Sequence, residues 1–506
     1  MKKSIRRSEP VFSLWESLLV LAGILGLLGF LIIIEHQEPQ APLLIAFVLL
    51  MVYGRLRGFS WNTIMAGVRT GLRAGVDPLV IFLTIGVLIA TWIFSGTIPT
   101  IMYVGFQLIS VKFFLPTVFL VCTLVAIACG SSFTSVSTMG IAFIGIGATL
   151  HINPGLTAGA IVSGAFCGAN ISPLSSTTNL AASTGQIDIY KHIKALLWTD
   201  LPAWFLSLVF FTVMGLNARS ASLAAIEKMM AGLKAGFWIS PVTLLPVLLL
   251  VGLAFFKVPA LPSLGLGALF ATALGWLHHP TLTINQISAL IMNGYVAHTP
   301  NKVINALLSK GGISSMLTSE ALIIFALTLG GLLIEFKVIR VIIEKVEQIV
   351  KGAGGLTVAT ALTAIGVNLL VGEHYLAIIL PGESFKESFD HHHLPRQCMT
   401  RILNDAGAAV NAIVPWSVSG VFIATTLQVS TLAYIPFAVF PTLVTISCII
   451  AGFRPGPRRP RAGMNWSLIK FRMRTSGLVG PLFLVGAKLN FAKILSRSFL
   501  ENVFFG

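Results

Sequence analysis

Residues 168–179 read Gly168-Ala169-Asn170-Ile171-Ser172-Pro173-Leu174-Ser175-Ser176-Thr177-Thr178-Asn179 and interrupt an otherwise apolar part of the chain. Pro173 removes a backbone donor and bends a helix, which leaves carbonyl oxygens free. The five hydroxyls and two amides of this stretch are hard, neutral oxygen ligands of the kind that hold a cation such as sodium. The stretch is therefore either a polar loop or a break in a membrane helix that coordinates an ion.

The chain around this stretch has the composition of a membrane protein. Of its 506 residues, 55% are hydrophobic and only 10% are charged, and the mean hydropathy is +0.89. A helix needs roughly 20 apolar residues to cross the hydrocarbon layer, and many such stretches follow one another. We therefore predict an all-α polytopic membrane protein with about eleven to thirteen membrane elements, counting broken helices and re-entrant hairpins. The lipid bilayer is its expected surroundings.

The net charge of +16 is concentrated at the two ends of the chain. Residues 1–10 and the segment after Phe453 together carry twelve of the sixteen excess positive charges. Positive flanks are typical of cytoplasmic segments, so we expect the N-terminus and the basic tail to face the cytoplasm from the inner membrane. No basic domain with interleaved aromatic residues accompanies the charge, so nucleic acid is not an expected partner.

An internal repeat connects the polar stretch with a second one in the other half of the chain. At an offset of 242 positions, Gly130 matches Gly372, and the Ser-Pro-Leu-Ser sequence at 172–175 matches Val-Pro-Trp-Ser at 414–417. Matching breaks in two halves mark the binding site of many secondary transporters; the alternatives are chance agreement and simple helix packing. We predict two structural repeats; if they are inverted relative to each other, their broken elements meet near the bilayer midplane.

The repeat divides the chain into five segments. They are 1–76, with N-terminal spans and a cytoplasmic connector; 77–217, the first repeat; 218–319, a connector with extra spans; 320–453, the second repeat; and 454–506, a basic cytoplasmic tail.

The first repeat contains a second group of oxygens, because an apolar helix becomes rich in hydroxyls between Gly130 and Gly140. Serine and threonine in membrane helices often only pack helices together, but their density here favours coordination of an ion or substrate. The candidate oxygen ligands of this half are Ser131, Ser132, Thr134, Asn170, Ser172, Ser175, Thr177, Thr178 and Asn179.

The second repeat supplies the acids. Glu373 follows the glycine that matches Gly130, at the end of an apolar helix. Asp405 opens a later span, where it either caps a helix or binds a cation. Glu335 is a weaker candidate, since it ends an apolar run beside the charged loop that contains Lys337. A carboxylate inside the membrane is costly and marks a functional site by default. Two neutral residues complete the candidate set of this half: Asn368 and Ser417.

No P-loop, nucleophile elbow or pair of catalytic acids occurs in the sequence, so neither ATP-driven transport nor an enzyme is predicted. The three adjacent histidines at 391–393 lie in a charged stretch and are interpreted as solvated side chains rather than metal ligands. No cofactor is expected, and no metal other than transported sodium.

Together these motifs resemble the NhaC family of sodium/proton antiporters, whose relatives include sodium-coupled malate/lactate exchangers. The resemblance spans roughly residues 10–452. It implies a secondary transporter of the broader ion-transporter superfamily, with inverted repeats and re-entrant hairpins. The segments that carry it are Gly86 to Thr100; Ser172 to Ser175 with Thr177 to Leu180; Gly372 to Tyr375 with Leu380 to Gly382; and Asp405 and Gly407 with Val414 to Trp416.

Three positions depart from the pattern of the family. The family typically reads Gly-Asp-Lys where this chain has Gly168-Ala169-Asn170, and it has an aspartate where this chain has Ser176. It usually has an aspartate where this chain has Glu373. The first repeat is therefore expected to supply neutral oxygens only, so that any proton-carrying acid is Glu373, Asp405 or Glu335.

These observations predict cation (sodium)/proton antiport by alternating access, with Glu373 and Asp405 as the titrating and cation-binding acids. The alternative is sodium-coupled transport or exchange of a small organic acid or amino acid. A membrane scaffold or sensor without transport is a third interpretation. The expected partners besides lipid are a sodium ion, a small carboxylate for the alternative function, and a second copy of the chain in a homodimer.

Overall fold

The computed structural model describes residues 12–35, 37–108, 111–216, 223–256, 258–350 and 352–453. Within these ranges every regular element is helical and no strand occurs. The predicted basic tail at 454–506 and the positively charged residues 1–10 lie outside the described residues.

The α-helices in chain order are α1 (Leu14–Leu28), α2 (Gln40–Leu56), α3 (Trp61–Phe94), α4 (Thr97–Leu108), α5 (Phe114–Cys129), α6 (Ser132–Ser135), α7 (Ile141–Thr149), α8 (Pro154–Ile171), α9 (Ser176–Thr184), α10 (Ile189–Leu216), α11 (Leu223–Gly236), α12 (Leu245–Phe255), α13 (Ala260–His278), α14 (Ile284–Asn293), α15 (Lys302–Leu308), α16 (Ser314–Glu335), α17 (Val338–Ile349), α18 (Gly352–Val371), α19 (His374–His391), α20 (Arg396–Ile402), α21 (Val418–Leu427), α22 (Thr431–Tyr434) and α23 (Val439–Phe453). Short π-helical segments lie at Gly29–Ile34, Val136–Gly140 and Leu403–Ala408, and short 3₁₀ segments at Val111–Phe113, Pro241–Leu244, Ala409–Ile413 and Ile435–Phe437.

Seven helices among the described residues are long and apolar enough to cross a membrane. The number rises to eleven if each of four bent helix pairs forms one span. This confirms the predicted all-α polytopic membrane fold with broken helices.

The two broken helices that the sequence predicted are related by the offset found in the sequence. The first consists of Pro154–Ile171 and Ser176–Thr184 and bends by 45°; the second consists of Arg396–Ile413 and Val418–Leu427 and bends by 42°. The start, the break and the restart of the second each follow those of the first by 242 positions. The two halves therefore share one backbone plan, whereas their inverted orientation stays a prediction.

Helices α3 and α16 hold the two halves together through closely approaching backbones. A Cβ added to Gly71 of α3 would lie 2.0 Å from the carbonyl oxygen of Leu327, and one added to Gly331 of α16 would lie 2.2 Å from that of Gly67. Small residues allow membrane helices to approach this closely. The predicted segment boundary after residue 76 lies inside α3, and the one after residue 319 lies inside α16.

The hydroxyl-rich stretch between Gly130 and Gly140 begins at a break and then continues as a helix. It is helical from Ser132 onward, through α6, the π-helical turn and α7. The break lies earlier, at Gly130, whose φ is +65°. The hydroxyls do not unwind this helix, since Ser137 and Thr138 both donate to the carbonyl oxygen of Thr134 within it.

Candidate functional site

The two breaks of each repeat lie against each other. Gly130 ends α5 and faces the break in the α8–α9 helix, where a Cβ on Gly130 would lie 2.6 Å from the carbonyl carbon of Leu174. Gly372 ends α18 with a φ of +73°, and a Cβ on it would lie 3.1 Å from the carbonyl oxygen of Trp416 in the other broken helix. Leu174 and Trp416 are again 242 positions apart. Only glycine combines a left-handed conformation with so close an approach.

Side chains from each broken helix satisfy a carbonyl that the neighbouring helix end leaves free. The hydroxyl of Ser172 donates to the carbonyl oxygen of Ile127 at 2.7 Å. At the equivalent place in the second repeat, Trp416 Nε1 donates to the carbonyl oxygen of Leu369 at 2.7 Å. These bonds let irregular backbone exist inside an apolar fold.

A cavity of about 660 Å³ lies beside the contact between Gly130 and the break in the α8–α9 helix. Twelve of its 27 described lining residues come from three stretches, at 129–133, 173–177 and 374–375. Of the predicted oxygen ligands, the following line it: Ser131, Ser132, Asn170, Ser175, Thr177 and Asn179. Among the described residues that line the cavity, Asp77 of α3 is the single acid, and neither lysine nor arginine occurs. Asp77 was not among the residues predicted from the sequence.

Several predicted ligands have their hydroxyls or amides engaged with nearby protein groups. Thr178 donates to the carbonyl oxygen of Asn170 at 3.0 Å, and Asn179 donates to that of Pro173 at 2.8 Å. Ser175 and Thr177 share a hydrogen bond of 2.9 Å. These contacts stabilise the break and orient the remaining lone pairs of the oxygens.

Glu373 is fully buried at the break between α18 and α19. One carboxyl oxygen, Oε2, accepts from the backbone N–H of Leu376 at 2.9 Å and caps α19. The other, Oε1, has no hydrogen-bond partner among the described residues, and Nδ1 of His374 lies 3.5 Å from it. A half-satisfied carboxyl in the core needs a proton or a cation to offset its charge.

A buried amide network lies behind Glu373. Asn411 Nδ2 donates to Asn368 Oδ1 at 2.8 Å and to the carbonyl oxygen of Gly372 at 3.2 Å. Asn368 in turn donates to the carbonyl oxygen of Gly407. The hydroxyl of Ser417 donates to the carbonyl oxygen of Asn411. Thus Asn368 and Ser417, both predicted, support the break rather than line the cavity.

Asp405 and Asn170 lie in direct contact, although they belong to different repeats. Asn170 Nδ2 donates to Asp405 Oδ1 at 3.2 Å, and the hydroxyl of Thr199 donates to Asp405 Oδ2 at 2.7 Å. Asp405 is fully buried, and Asn170 and Thr199 are at most 3% exposed. The interpretation of Asp405 as an N-cap is wrong, because it lies within a continuous helical turn at Leu403–Ala408.

Asp200 of α10 is a residue that the sequence reasoning missed. Asn170 Nδ2 also donates to its two carboxyl oxygens, at 3.2 and 3.1 Å, so a single amide nitrogen bridges Asp200 and Asp405. The signal was present, since Asp200 is a lone acid in an apolar span. The expectation that the first repeat supplies only neutral oxygens is therefore wrong.

Glu335 lies apart from these groups. It is the last residue of α16, and its Cβ packs beside Gly67 of α3. It is half-buried and is not among the residues that line the cavity. The geometry therefore does not support Glu335 as a cation ligand.

Two repeats of bent membrane helices, a polar cavity at their breaks and buried acids beside it define a polytopic membrane transporter. The chain belongs to the Na⁺/H⁺ antiporter family, whose profile matches residues 166–454. This is a family of transporters and not of enzymes.

The chain is also similar to individual proteins over most of their length. The chain is 36% identical over 437 residues to the Na⁺/H⁺ antiporter NhaC of Alkalihalophilus pseudofirmus, which covers 86% of this chain and 95% of the relative. It is 32% identical to the malate-2H⁺/Na⁺-lactate antiporter of Bacillus subtilis, covering 87% and 94% of the two chains. It is 33% identical to the arginine/ornithine antiporter ArcD of Halobacterium salinarum, covering 87% and 92%.

Proposed function

We propose that this chain exchanges sodium for protons across the membrane by alternating access. The observation that carries the proposal is the fully buried carboxyl of Glu373, whose Oε1 has no partner among the described residues. Such a group is stable with a bound proton or beside a cation, and unstable as a bare charge. An antiporter needs a group that binds either a proton or a sodium ion, but not both at the same time.

The neutral oxygens of the first repeat complete the proposed site. Ser131, Ser132 and Thr177 line the cavity beside the break, and hydroxyl oxygens are suitable ligands for a hard monovalent cation. Asp405 is the second acid of the proposal, and Asn170 connects it to the cavity wall. A rocking motion of one repeat against the other would expose this region to each side of the membrane in turn.

The relatives support the same function. NhaC of A. pseudofirmus is named as a Na⁺/H⁺ antiporter, and its match with this chain covers nearly its whole length. We propose a location in the inner membrane with the N-terminus and the basic tail in the cytoplasm, since positive flanks favour that side. The homodimer stays a sequence prediction.

The test is a flux measurement on the purified chain in proteoliposomes that contain a pH-sensitive dye. With an acidic interior, external sodium chloride is expected to drive proton efflux, whereas choline chloride at the same concentration is not. A proton flux that is the same with both salts contradicts sodium/proton antiport.

The size of the cavity favours a second candidate, sodium-coupled transport of a small organic substrate. Its 660 Å³ is about twenty times the roughly 30 Å³ that one water molecule occupies in the liquid, and it is within the usual range of pockets for small molecules. Because Asp77 is the single acidic residue among the described residues of the lining and no lysine or arginine accompanies it there, an amino acid bound through its ammonium group fits better than a simple organic anion. Saturable, sodium-dependent uptake of a labelled amino acid would establish this function; uptake that is unaffected by sodium would contradict it.

A further inference from the structure

In the described part of the chain, Asp200 and Asp405 have fewer hydrogen-bond donors around them than two carboxylates can accept, and none of these donors is charged. Each carboxylate has about four lone-pair positions for hydrogen bonds. The two carboxyl groups lie within hydrogen-bonding reach of each other. The other donors found among the described residues are the amide of Asn170 and the hydroxyl of Thr199. Neither donor carries a charge. Two negative charges that share one amide nitrogen repel each other strongly in a buried, low-dielectric site.

Arg401 can offset one of these charges. It lies four residues before Asp405 on the same helix and interacts electrostatically with both carboxyl groups. Its Nε is buried and has no hydrogen-bond partner among the described residues. Cys167 lies near enough to Asp200, and Cys448 to both acids, to interact with them electrostatically, and as neutral groups the two thiols leave the charge balance unchanged. Two carboxylates and one guanidinium leave a single negative charge without a counter-ion.

Asn404 supplies a free oxygen at the same place. Its Nδ2 donates to Asn170 Oδ1 at 2.7 Å, so its amide adjoins the amide that bridges the two acids. Its Oδ1 is fully buried and has no partner among the described residues. A buried carbonyl oxygen is costly to leave unpaired, and it is also a suitable ligand for a monovalent cation.

We propose that Asp200 and Asp405 together form one site that holds either a single sodium ion or a single proton. Arg401 is its resident counter-charge, and Asn404 Oδ1 and Thr199 Oγ1 are neutral ligands. Entry is from the cavity past Asn170, which both lines the cavity and contacts the two acids. The inference rests on the proposed function for the identity of the ion, and it adds Asp200, Asn404 and Arg401 to the residues that determine its binding.

The charge count gives a distinct prediction for each variant. Asp200→Asn leaves one carboxylate balanced by Arg401, so the apparent affinity for sodium is expected to fall by at least about tenfold. Arg401→Gln leaves two uncompensated carboxylates, so the affinity is expected to rise. The double variant restores one net negative charge and is expected to bind sodium more tightly than Asp200→Asn alone.

The control removes a charge from the same helix region without touching the site. Asp188 precedes α10, and its Oδ1 accepts from the backbone N–H groups of Tyr190 and Lys191. Asparagine accepts the same bonds, so Asp188→Asn is expected to leave sodium binding unchanged.

The experiment measures equilibrium binding of radioactive sodium to the purified full chain in detergent, and sodium-driven proton flux in proteoliposomes. Wild-type sodium affinity in Asp200→Asn overturns the inference, as does a double variant no tighter than Asp200→Asn. If Asp200→Asn does not fold, Arg401→Gln still tests the proposal. A higher sodium affinity in Arg401→Gln supports the proposal, because damage to the fold does not raise affinity. An unchanged or weaker sodium affinity in this variant contradicts it. Binding without any sodium-driven proton flux in the wild type refutes the proposed function while leaving the two-carboxyl site supported.

Discussion

Ser131 and Glu373 occupy equivalent positions in the two repeats and make the same hydrogen bond. The hydroxyl of Ser131 accepts from the backbone N–H of Thr134 at 3.2 Å, and Glu373 Oε2 accepts from that of Leu376 at 2.9 Å. Each follows a left-handed glycine. The first repeat therefore caps its helix with a neutral oxygen and the second with an acid, so one backbone plan carries two different chemistries.

Replacement of Glu373 by glutamine tests proton binding separately from helix capping. Glu373→Gln keeps an oxygen that caps α19 but cannot exchange a proton, so we expect folded protein without sodium-driven proton flux. The measurement is dye dequenching in proteoliposomes, alongside size-exclusion chromatography. Glu344→Gln is the control, because Glu344 is exposed and pairs with Arg340 on α17. Full sodium-driven flux in Glu373→Gln would show that Glu373 is not the proton carrier.

The two break glycines are expected to differ in their tolerance of alanine. Both have positive φ, which costs a residue with a side chain about 1–2 kcal/mol. At Gly130 a Cβ would in addition lie 2.6 Å from the backbone of Leu174, whereas at Gly372 the nearest atom would be 3.1 Å away. Gly130→Ala is therefore expected to lower the melting temperature in detergent more than Gly372→Ala does. The opposite order would mean that the α5 end readjusts more easily than this geometry indicates.

Asn411 is expected to be needed for stability rather than for ion binding. Its side chain bonds to Asn368 and Gly372, and its Oδ1 accepts from the backbone N–H of Ser419 at 2.9 Å. Asn411→Ala leaves these groups unpaired at about 1–3 kcal/mol each, so thermal unfolding should occur at a clearly lower temperature. Asn293→Ala, at an exposed helix end, serves as the comparison. Equal melting temperatures for the two variants would contradict this role.

Two serines of the short helix α6 give a direct test of the cavity. Ser132 lines the cavity, whereas Ser135 is fully buried and donates to the carbonyl oxygen of Cys122 at 2.9 Å. In a background without the five native cysteines, Ser132→Cys is expected to react with a water-soluble thiol reagent much faster than Ser135→Cys. Mass spectrometry of the labelled protein measures both rates, and similar rates would show that water does not reach this cavity.

The fold was predictable because its causes are local in sequence. Apolar runs require helices in lipid, and Gly130, Pro173 and their counterparts at Gly372 and Pro415 mark where those helices break. The 242-residue offset therefore predicted the breaks, and the bent pairs follow it. The start of the helix at Ser132 was not predicted, since serine side chains bond either within a helix or outside it.

The sequence by itself determined that this is a helical membrane protein with two matching sets of breaks, and it selected Glu373 and Asp405 as candidate acids of the second repeat. Only the tertiary structure decided which acids meet. Asp200 and Asp405 lie 205 positions apart in the chain and share the amide of Asn170 because of how α10 packs against the second broken helix. Backbone propensity and hydrophobicity act over one or two helical turns, whereas the charge balance of a site depends on side chains brought together by packing between helices.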